Sequence, residues 1–483
     1  MYIGLDIGTS SVKAIIIDDE QRLVGSASAD LTVERPHPGW SEQDPESWWT
    51  ACETVLDALH ERLPGELPGV RGIGLSGHMH GATLLGADDR PLRPCILWND
   101  GRSAQQCADL EAGEPKFLSL GGNRVMPGFT APKLQWVRET EPDVFEKLAK
   151  VLLPKDYVRL KLTGDHVSDM SDSAGTLWMD VAARDWSEDL LHATGLTRAH
   201  MPRLVEGSEV SGRLRSELCK RWGMESAPVV AGGGGDNAAS ACGVGAVTPG
   251  SAFVSLGTSG VLFVTNDRFS PNVESAVHAF CHAVPETWHQ MGVILSATDS
   301  LNWLARTLGK DPAALTSALG AVSRPSEVIF LPYLGGERTP HNDVAVRAGF
   351  FGMSHGTDQD EVTHAVLDGV AFALKDCLVA LGTAGTTIER VLAVGGGSRS
   401  DVWLEIIASV LAVPVDVPED GDFGASLGAA RLGQAAALGT TDGVFSPPPL
   451  AKTIHPRADL TASYADAYVR WRTLYPALKQ AGF

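Results

Sequence analysis

The chain has 483 residues, a formal net charge of −20 and ordinary proportions of apolar (44%) and charged (20%) residues. This length exceeds what one hydrophobic core usually supports and predicts two large domains. The negative charge argues against a nucleic-acid or anionic-membrane partner, and no apolar run reaches the ~20 residues of a membrane span. The seven cysteines form no Cys-x-x-Cys pair, so neither a disulfide framework nor a zinc site is predicted. With no basic-then-apolar leader at the N-terminus, we expect a cytoplasmic protein.

The first seventeen residues read as an apolar strand, a turn and a second apolar strand. The turn is Gly8-Thr9-Ser10, whose backbone N–H groups and two hydroxyls are donors suited to phosphate oxygens. Asp6 stands near the end of the first strand. One carboxylate beside a phosphate chain suits Mg²⁺, so this hairpin is predicted to hold part of a nucleotide and its metal.

The next motif, Gly72–Gly77, matches the dinucleotide pattern G-x-G-x-x-G, but its context is wrong. That pattern needs a helix directly after it, whereas here a probable strand ends at His78-Met79-His80. Two histidines around a methionine at a strand end suit a sugar-binding loop. The alternative is a structural role, which is commoner for a single histidine. A metal site is disfavoured because no third ligand lies at a suitable spacing.

For several polar segments, the sequence favours a structural role over a functional one. Trp98–Arg102 reads as a capped turn with an ion pair, and Leu152–Tyr157 and Ser168–Ser173 read as loops over a cleft. The two aspartates of the last segment could bind a metal, but Ser/Asp clusters more often form turns and caps. His278 and His282 stand four residues apart without the glutamate of H-E-x-x-H, and are interpreted as structural.

Four consecutive glycines precede Asp236 and Asn237 in the middle of the chain. Glycine runs cost backbone entropy on folding, so this one suggests that another group approaches the main chain closely. Asp236 is then predicted to face a bound small molecule. The alternative is a flexible connection that carries a solvated aspartate.

A second strand–turn–strand unit, around Gly257-Thr258-Ser259, repeats the first hairpin half a chain away. Aligning the two turns places Asp6 opposite Ser255, so one copy alone carries a carboxylate. An internal repeat of this kind predicts two lobes of similar topology. We expect the two hairpins to face each other across a cleft.

A third glycine element comes late in the chain, where a strand, the loop Gly395-Gly396-Gly397-Ser398 and a helix follow one another. This unit brings backbone N–H groups and a positive helix end beside a nucleotide. On its own this unit is weak evidence for a nucleotide site, and it is stronger evidence when two matching hairpins precede it. A broad apolar stripe along Glu361–Leu381 predicts a deeply buried helix just before it.

Together these elements resemble the FGGY-type carbohydrate kinases of the actin-like ATPase superfamily over nearly the whole chain. No Walker G-x-x-x-x-G-K-[ST] is present, which excludes a P-loop kinase. Within the family the motifs are similar to those of xylulokinases, although His78 stands where many of these carry glutamine. The segments that carry the resemblance are Asp6–Ser10, Met79–Gly81, Trp98–Arg102, Phe129–Leu134, Gly235–Asn237, Gly257–Ser259, Tyr333–His341, Ala348–Met353 and Gly395–Gly397.

The resemblance implies an α/β fold of two actin-like (ribonuclease H-like) domains, each a mixed sheet flanked by helices, with a cleft between them. Residues 1–245 would bind the sugar and carry the first hairpin, and residues 246–483 would bind the nucleotide. The implied reaction is ATP-dependent phosphorylation of D-xylulose to D-xylulose 5-phosphate. The alternatives are a kinase for ribulose, another ketopentose or a glycerol-like polyol, a non-catalytic sugar sensor, and a filament-forming or chaperone ATPase.

The resemblance also implies roles for individual residues. Asp236 would be the general base, and Asp6 and Asp236 would bind Mg²⁺. We expect a sugar and a nucleotide as partners, no nucleic acid and no membrane, and leave a homodimer open. The implied sugar contacts are Met79, His80, Asp236 and Asn237. The implied ATP contacts are Gly8, Thr9, Ser10, Lys13, Gly257, Thr258, Ser259, Gly395, Gly396, Gly397 and Ser398.

Overall fold

The computed structural model describes residues 1–419 and 424–482. Its strands β1–β12 are Tyr2–Ile7, Ser11–Ile17, Leu23–Asp30, Glu42–Gln43, Gly72–Gly77, Thr83–Leu85, Cys95–Ile96, Lys150–Leu152, Val167–Asp169, Met179–Asp180, Asp185–Trp186 and Arg203–Val205. Strands β13–β24 are Val210–Arg213, Val229–Ala231, Gly234–Gly235, Ala252–Leu256, Gly260–Asn266, His278–Cys281, Trp288–Ile294, Ile329–Leu331, Gly349–Phe351, Val391–Val394, Val415–Pro418 and Leu450–Ile454.

Helices α1–α17 are Pro45–Arg62, Ala104–Gly113, Lys116–Ser119, Thr130–Thr140, Pro142–Phe145, Pro154–Thr163, Met170–Ala174, Glu188–Ala193, Ser216–Arg221, Asp236–Val244, Thr298–Leu308, Pro312–Ala318, Gln359–Thr383, Asp401–Leu411, Ala425–Leu438, Ala458–Arg472 and Leu474–Ala481. Short 3₁₀ helices are Leu67–Gly69, Arg198–His200 and Gly396–Arg399. None of these helices is both long and apolar enough to cross a membrane, within the described residues.

Two sheets organise the fold, and they share one topology. Within the described residues each has seven strands, in the order β13-β14-β5-β1-β2-β3 with β15 beside β5, and β18-β19-β17-β16-β22-β23-β24. In both, a hairpin (β1–β2 or β16–β17) pairs antiparallel, and its first strand pairs parallel with a later strand (β5 or β22). The predicted repeat and the mixed α/β fold of two lobes are confirmed.

Two long helices cover the sheets, and one of them, α13, is the buried helix predicted along Glu361–Leu381. Asp44 caps α1 by accepting a hydrogen bond from the N–H of Glu46 at 3.0 Å, and Pro45 opens the helix. The apolar face of α1, including Trp48, is buried against the first sheet. Helix α13 is buried along most of its length and packs on the second sheet. Both helices therefore cover the apolar face of a sheet, which is the usual source of helix stability in globular proteins.

Helices α10 and α15 make the closest contacts between the two halves. A Cβ atom added to Gly428 would lie 1.6 Å from the carbonyl oxygen of Ala239, so the two helices touch backbone to backbone. Helix α15 also lies on β1 and β5, where a Cβ at Gly74 would lie 1.7 Å from the carbonyl oxygen of Ala429. The late helix α15 thus packs on the early sheet, and small residues are required where they meet.

Two segments interpreted as loops over the cleft are regular and buried, so that prediction was wrong. Leu152–Tyr157 ends β8 and begins α6, and Ser168–Ser173 spans β9 and most of α7.

The polar residues of these segments are compensated inside the protein. The Lys155 ammonium lies 2.6 Å from Asp156, 2.7 Å from Asp169 and 3.1 Å from Asp172, and Arg159 lies 2.6 Å from Asp156. All five side chains are fully buried. Burial raises the pKa of Asp172 well above its ordinary value, which favours its neutral form beside the two cations. This balance allows a charged sequence to occupy a core.

The close contact between α10 and α15 predicts that one added methyl group lowers the stability of the fold considerably. Because backbone atoms surround Gly428, no rotamer change can relieve the clash, and we expect Gly428→Ala to destabilise the fold by at least ~1–3 kcal/mol. Gly382→Ala is the matched control. It lies near the end of α13 with nothing within 4 Å of the new Cβ, so it should stabilise by ~0.5–1 kcal/mol. Equal thermal unfolding midpoints for Gly428→Ala and wild type would contradict the packing.

Candidate active site

Asp236 is the first residue of α10, directly after the glycine run. Its Oδ1 accepts hydrogen bonds from the backbone N–H of Asn237 at 2.7 Å and from that residue's Nδ2 at 2.9 Å. Burial, reinforced by the negative charge of Asp6, raises the pKa of Asp236 to about 6, although the Asn237 hydrogen bonds oppose the shift. The carboxyl is therefore a proton acceptor near neutral pH.

Asp6 lies close enough to Asp236 for their charges to interact. It stands in β1 opposite Lys13 of β2 and opposite Ser76 of β5. Burial raises the pKa of Asp6, and the Ser76 hydroxyl and the Lys13 charge partly offset that rise. No group of three or more His, Cys, Asp or Glu suited to a metal ion occurs in the part of the chain that the structure describes. Among the described residues, Asp6 and Asp236 therefore form a pair of neighbouring carboxyl groups rather than part of a larger acidic cluster.

A cavity of about 310 Å³, here called the central cavity, lies between the two halves. Met79 and His80, from the loop after β5, and the carboxylate Asp236 contribute to its walls. The second hairpin also contributes, together with aromatic and basic side chains from distant segments. The lining residues are Met79, His80, Trp98, Met126, Gly128, Phe129, Asp236, Asn237, Ser255, Gly257, Ser259, Val261, His278, Phe280, Met291, Val293 and Arg338.

His80 is held in one tautomer at the cavity wall. Its Nδ1 lies 2.7 Å from the carbonyl oxygen of Gly175, an acceptor only, so Nδ1 carries the proton and Nε2 can accept a hydrogen bond. Burial, with the nearby Lys133 charge, lowers the pKa of His80 to about 3. The imidazole is therefore neutral and offers a lone pair to a ligand hydroxyl.

The backbone at His80 is strained, and hydrogen bonds from Thr130 and Lys133 hold it in place. His80 has φ = 70°, a left-handed conformation that is uncommon outside glycine. Its carbonyl oxygen accepts hydrogen bonds from Lys133 Nζ at 2.9 Å and Thr130 Oγ1 at 3.2 Å, and Lys133 also donates to the Gly128 carbonyl at 2.8 Å. Burial lowers the pKa of Lys133 to about 7. Lys133 therefore positions the loop from outside the cavity.

The glycine before Asp236 allows Met79 to approach. A Cβ at Gly235 would lie 2.9 Å from both Cγ and Sδ of Met79. The Gly235 N–H also donates to Ser171 Oγ at 3.2 Å. The glycine run thus brings a main chain close to a side chain, as its composition predicted, and α7 helps to fix the start of α10.

The second hairpin connects the central cavity with another pocket. The carbonyl of Gly257 accepts hydrogen bonds from Thr298 Oγ1 at 2.7 Å and from the Thr298 N–H at 2.9 Å. Thr298 lines a second cavity of about 620 Å³, here called the outer cavity, which Gly396 and Gly397 also line. Thr258 lies in the hairpin turn, and its carbonyl accepts a hydrogen bond from Ala297 at 2.8 Å.

The remaining predicted glycine-loop residues flank the outer cavity. Ser398 Oγ donates to the carbonyl of Gly395 at 2.7 Å. A Cβ at Gly395 would lie 2.8 Å from the carbonyl oxygen of Leu256, the last residue of β16. The third glycine element therefore packs on the end of the strand that leads into the second hairpin.

The first hairpin reaches the central cavity through Trp98. The Trp98 indole Nε1 donates to Thr9 Oγ1 at 3.0 Å, and Gln43 Nε2 donates to the Thr9 carbonyl at 2.7 Å. Gly8 and Ser10 complete the turn, in which the Gly8 N–H donates to Ser11 at 3.0 Å. From the sequence, Trp98 was interpreted as part of a capped turn. Its hydrogen bond to Thr9 shows that it connects the first hairpin with the central cavity.

Sequence reasoning assigned some histidines correctly and missed others. His282 is buried and contacts the Ala246 carbonyl at 3.1 Å, as a structural residue should. His278, also interpreted as structural, lines the central cavity, where it contacts Asn123 and Arg338. His78 is not among the residues lining that cavity; it is buried edge-on against Trp48, and neither ring nitrogen has a hydrogen-bond partner within the described residues.

Two lobes of one mixed topology, each presenting a glycine hairpin toward a common cleft, define a two-lobed α/β protein of the actin-like fold. The N-terminal domain model of the FGGY family of carbohydrate kinases matches residues 1–243, and the family's C-terminal domain model matches residues 252–437. The chain therefore belongs to the FGGY family of carbohydrate kinases. This membership supports the enzyme interpretation over the chaperone and filament alternatives.

Similar proteins cover the whole chain. The xylulose kinase of Escherichia coli K12 is 48% identical over 482 residues, 99% of each chain. The crystal structure of a xyloylose kinase from Brucella ovis has 57% identity and a TM-score of 0.98, and covers 99% of each chain. That of a xylulose kinase from Rhodospirillum rubrum has 29% identity and a TM-score of 0.90, with the same coverage.

The contact between Gly175 and His80 predicts a selective binding defect. A Cβ at Gly175 would lie 2.7 Å from Cε1 and Nδ1 of the His80 ring. Because the His80 loop is fixed, we expect Gly175→Ala to displace the ring and weaken carbohydrate binding about tenfold, a loss of ~1.4 kcal/mol. Gly113→Ala has no atom within 4 Å of the new Cβ and should bind normally. Unchanged affinity in a folded Gly175→Ala protein, measured by calorimetry, would contradict this geometry.

Proposed function

We propose that this carbohydrate kinase transfers the γ-phosphoryl group of ATP to the C5 hydroxyl of D-xylulose, forming D-xylulose 5-phosphate. The observation that carries the proposal is one cavity that holds a carboxylate poised near neutral pH, a neutral His80 and the Gly257 hairpin. The full-length relatives named xylulose kinases support the choice of sugar. The cavity, at about 310 Å³, also suits a five-carbon sugar.

Asp236 is the general base in this proposal. Its Oδ1 is occupied by two donors from Asn237, which leaves Oδ2 to accept the proton of the C5 hydroxyl as the hydroxyl oxygen attacks phosphorus. The O–P bond to the sugar forms, the bond from phosphorus to the ADP oxygen breaks, and the proton remains on Asp236. A base with a pKa near the working pH is well matched to this step.

Mg²⁺ fits the residues present at the hairpin. The cation is commonly bound through one or two carboxylates together with phosphates and waters, and Asp6 and Asp236 are two such carboxylates without a third acidic ligand in the described chain. When bound, it would neutralise charge on the transferred phosphoryl group. Burial raises the pKa of both groups, and the charge of Asp6 adds to the rise at Asp236; a bound cation would favour the ionised form of each.

The nucleotide is proposed to run from the outer to the central cavity. Its adenosine would occupy the pocket at Gly396 and Gly397, and its phosphates would pass the Gly257 hairpin toward the Gly8 hairpin. The hydrogen bonds of Thr298 to Gly257 support this path, since Thr298 borders the outer cavity and Gly257 the central one. Lys13, beside Asp6, would neutralise phosphate charge. The division at residues 245 and 246 and a homodimer remain predictions.

The substrate assignment can be tested with a panel of sugars. We expect D-xylulose to have a higher kcat/KM than D-ribulose, L-ribulose or glycerol, and to exceed glycerol roughly 10-fold or more because glycerol lacks the contacts of two carbons. ADP formation with Mg²⁺-ATP measures each rate. A higher kcat/KM for either ribulose or for glycerol would overturn the choice of D-xylulose.

The role of Asp236 predicts a specific loss and a specific pH profile. Asp236→Asn keeps the shape but cannot accept the proton, so we expect single-turnover transfer to slow ~10²–10⁴-fold while both substrates still bind. In the wild type, kcat/KM should fall as pH drops below about 6, because protonation removes the base. Transfer within about tenfold of wild type in the variant would contradict the assignment.

Asp6 is expected to act through the metal. Asp6→Ala removes one of two carboxylates beside the phosphates, so activity should require a higher Mg²⁺ concentration and saturating Mg²⁺ should restore part of the rate. Asp44→Ala is a control, because it removes a helix-capping carboxylate and should lower only stability. An unshifted Mg²⁺ titration in folded Asp6→Ala protein would rule out the metal role.

A further inference from the structure

Arg338 brings a positive charge to the central cavity from the second half of the chain. It lies in the segment between β20 and β21, and its side chain is partly accessible from the cavity. Its described side-chain hydrogen bond joins Nη1 to Nε2 of His278 at 3.2 Å. Arg338 thus has donors left for a ligand, since a guanidinium carries five.

A chain of hydrogen bonds fixes the orientation of this arginine. Asn123 Nδ2 donates to the carbonyls of Gly121 at 2.9 Å and Ala279 at 3.0 Å, which identifies its other amide atom as the oxygen. That oxygen lies 2.9 Å from Nδ1 of His278, so Nδ1 is the protonated nitrogen and Nε2 accepts from Arg338. Burial lowers the pKa of His278 well below its ordinary value. A neutral His278 therefore orients the guanidinium without compensating its charge.

The adjacent acid, Glu337, makes no ion pair with the guanidinium and acts on it only through space. No carboxylate lies within 4.0 Å of the Arg338 guanidinium among residues 1–419 and 424–482. Glu337 directs its Oε1 to backbone N–H groups, that of Leu295 at 2.9 Å and that of Arg338 at 2.7 Å. Burial raises the pKa of Glu337 to about 8, so this acid is largely neutral at pH 7. An enclosed cation without an ion-pair partner is costly unless another group binds it.

The missing partner is best supplied by the substrate. Arg338 and Asp236 line the same cavity but come from opposite halves of the chain. A sugar that presents one terminal hydroxyl to Asp236 would bring its remaining oxygens toward the rest of the wall. Arginine can only donate hydrogen bonds, and a carbonyl oxygen can only accept them. A hydroxyl satisfies a guanidinium less well, since it also carries a proton that needs an acceptor.

We propose that Arg338 is a substrate-contacting specificity residue, whose guanidinium donates to oxygens at the end of the sugar away from the phosphorylated hydroxyl and favours an open-chain keto sugar over the corresponding polyol. The inference rests on the proposed function, because it assumes that the central cavity holds the sugar. Arg338 would then be the group that distinguishes a ketose from an alditol. Asn123 and His278 are positioning residues that act through Arg338.

The test compares Arg338→Met with wild type on D-xylulose and on xylitol and D-arabinitol, the two alditols that reduction of its carbonyl gives. We expect Arg338→Met to raise the D-xylulose KM and Kd at least tenfold, to change the alditol values less than threefold and to leave the ATP KM within twofold. Arg347→Met is the matched control. Arg347 lies nine residues on, donates to carbonyls of its own loop and is outside the cavity, so its values should equal those of wild type.

Arg338→Lys keeps the charge and removes the planar fork, so a smaller, three- to tenfold rise in the D-xylulose KM is expected; it carries the test if the Met variant is unstable. A D-xylulose Kd within twofold of wild type in either folded variant would overturn substrate contact. Equal losses for D-xylulose and the alditols would overturn carbonyl selectivity. Tighter wild-type binding of D-xylonate than of D-xylulose would also overturn it, since the cation would then select a carboxylate.

Failure of the proposed function is distinguishable from failure of this inference. If wild-type protein phosphorylates another ketose in place of D-xylulose, the proposed substrate is wrong. The same variants are then measured with that ketose and its alditols. A tenfold loss for that ketose in Arg338→Met, with a smaller loss for its alditols, would support the role of Arg338. An unchanged Kd would overturn it.

Discussion

The site depends on direct backbone contact between α10, α15 and the first sheet. Glycines at Gly74 and Gly428 leave no room for a side chain between these elements. Asp236 is the first residue of α10, so its position is set by a helix that contacts α15 backbone to backbone. Such a contact is stabilised by the many close atom pairs of dense packing rather than by the burial of large apolar side chains. The late helix α15 thus lies on the early sheet, and both halves contribute to the packing that holds Asp236.

Electrostatics then separates the roles of the groups around the cavity. Burial acts on acids and bases in opposite directions, because it disfavours whichever form is charged. It raises the pKa of Asp236 to about 6 and lowers that of His80 to about 3. In the proposed reaction the acid would therefore gain a proton, while the histidine would stay neutral and only position a hydroxyl. Lys133, which supports the His80 loop, is likewise drawn toward neutrality by burial.

Local patterns predicted the repeated lobes, the hairpin turns and Asp236, because strand periodicity and glycine turns are encoded within short segments. Leu152–Tyr157 and Ser168–Ser173 were misread for the opposite reason. Their charges suggest a surface, yet Lys155 lies among three buried aspartates that come from separate elements. His278 and Arg338 were missed as cavity residues for a similar reason. Their roles arise only when sheet pairing and chain crossings bring distant segments to one wall, and no short pattern encodes that proximity.

For kinase chemistry, the central cavity and the outer cavity must also be connected. A phosphoryl donor and an acceptor must meet where water is excluded, since water would otherwise compete as acceptor. Thr298 joins the outer cavity to the Gly257 hairpin, and Trp98 joins the central cavity to Thr9 of the first hairpin. The walls of the central cavity come from both halves, so any change in their relative position would alter sugar contacts and phosphate contacts together. Closure around one substrate would therefore bring the binding groups for the other into place.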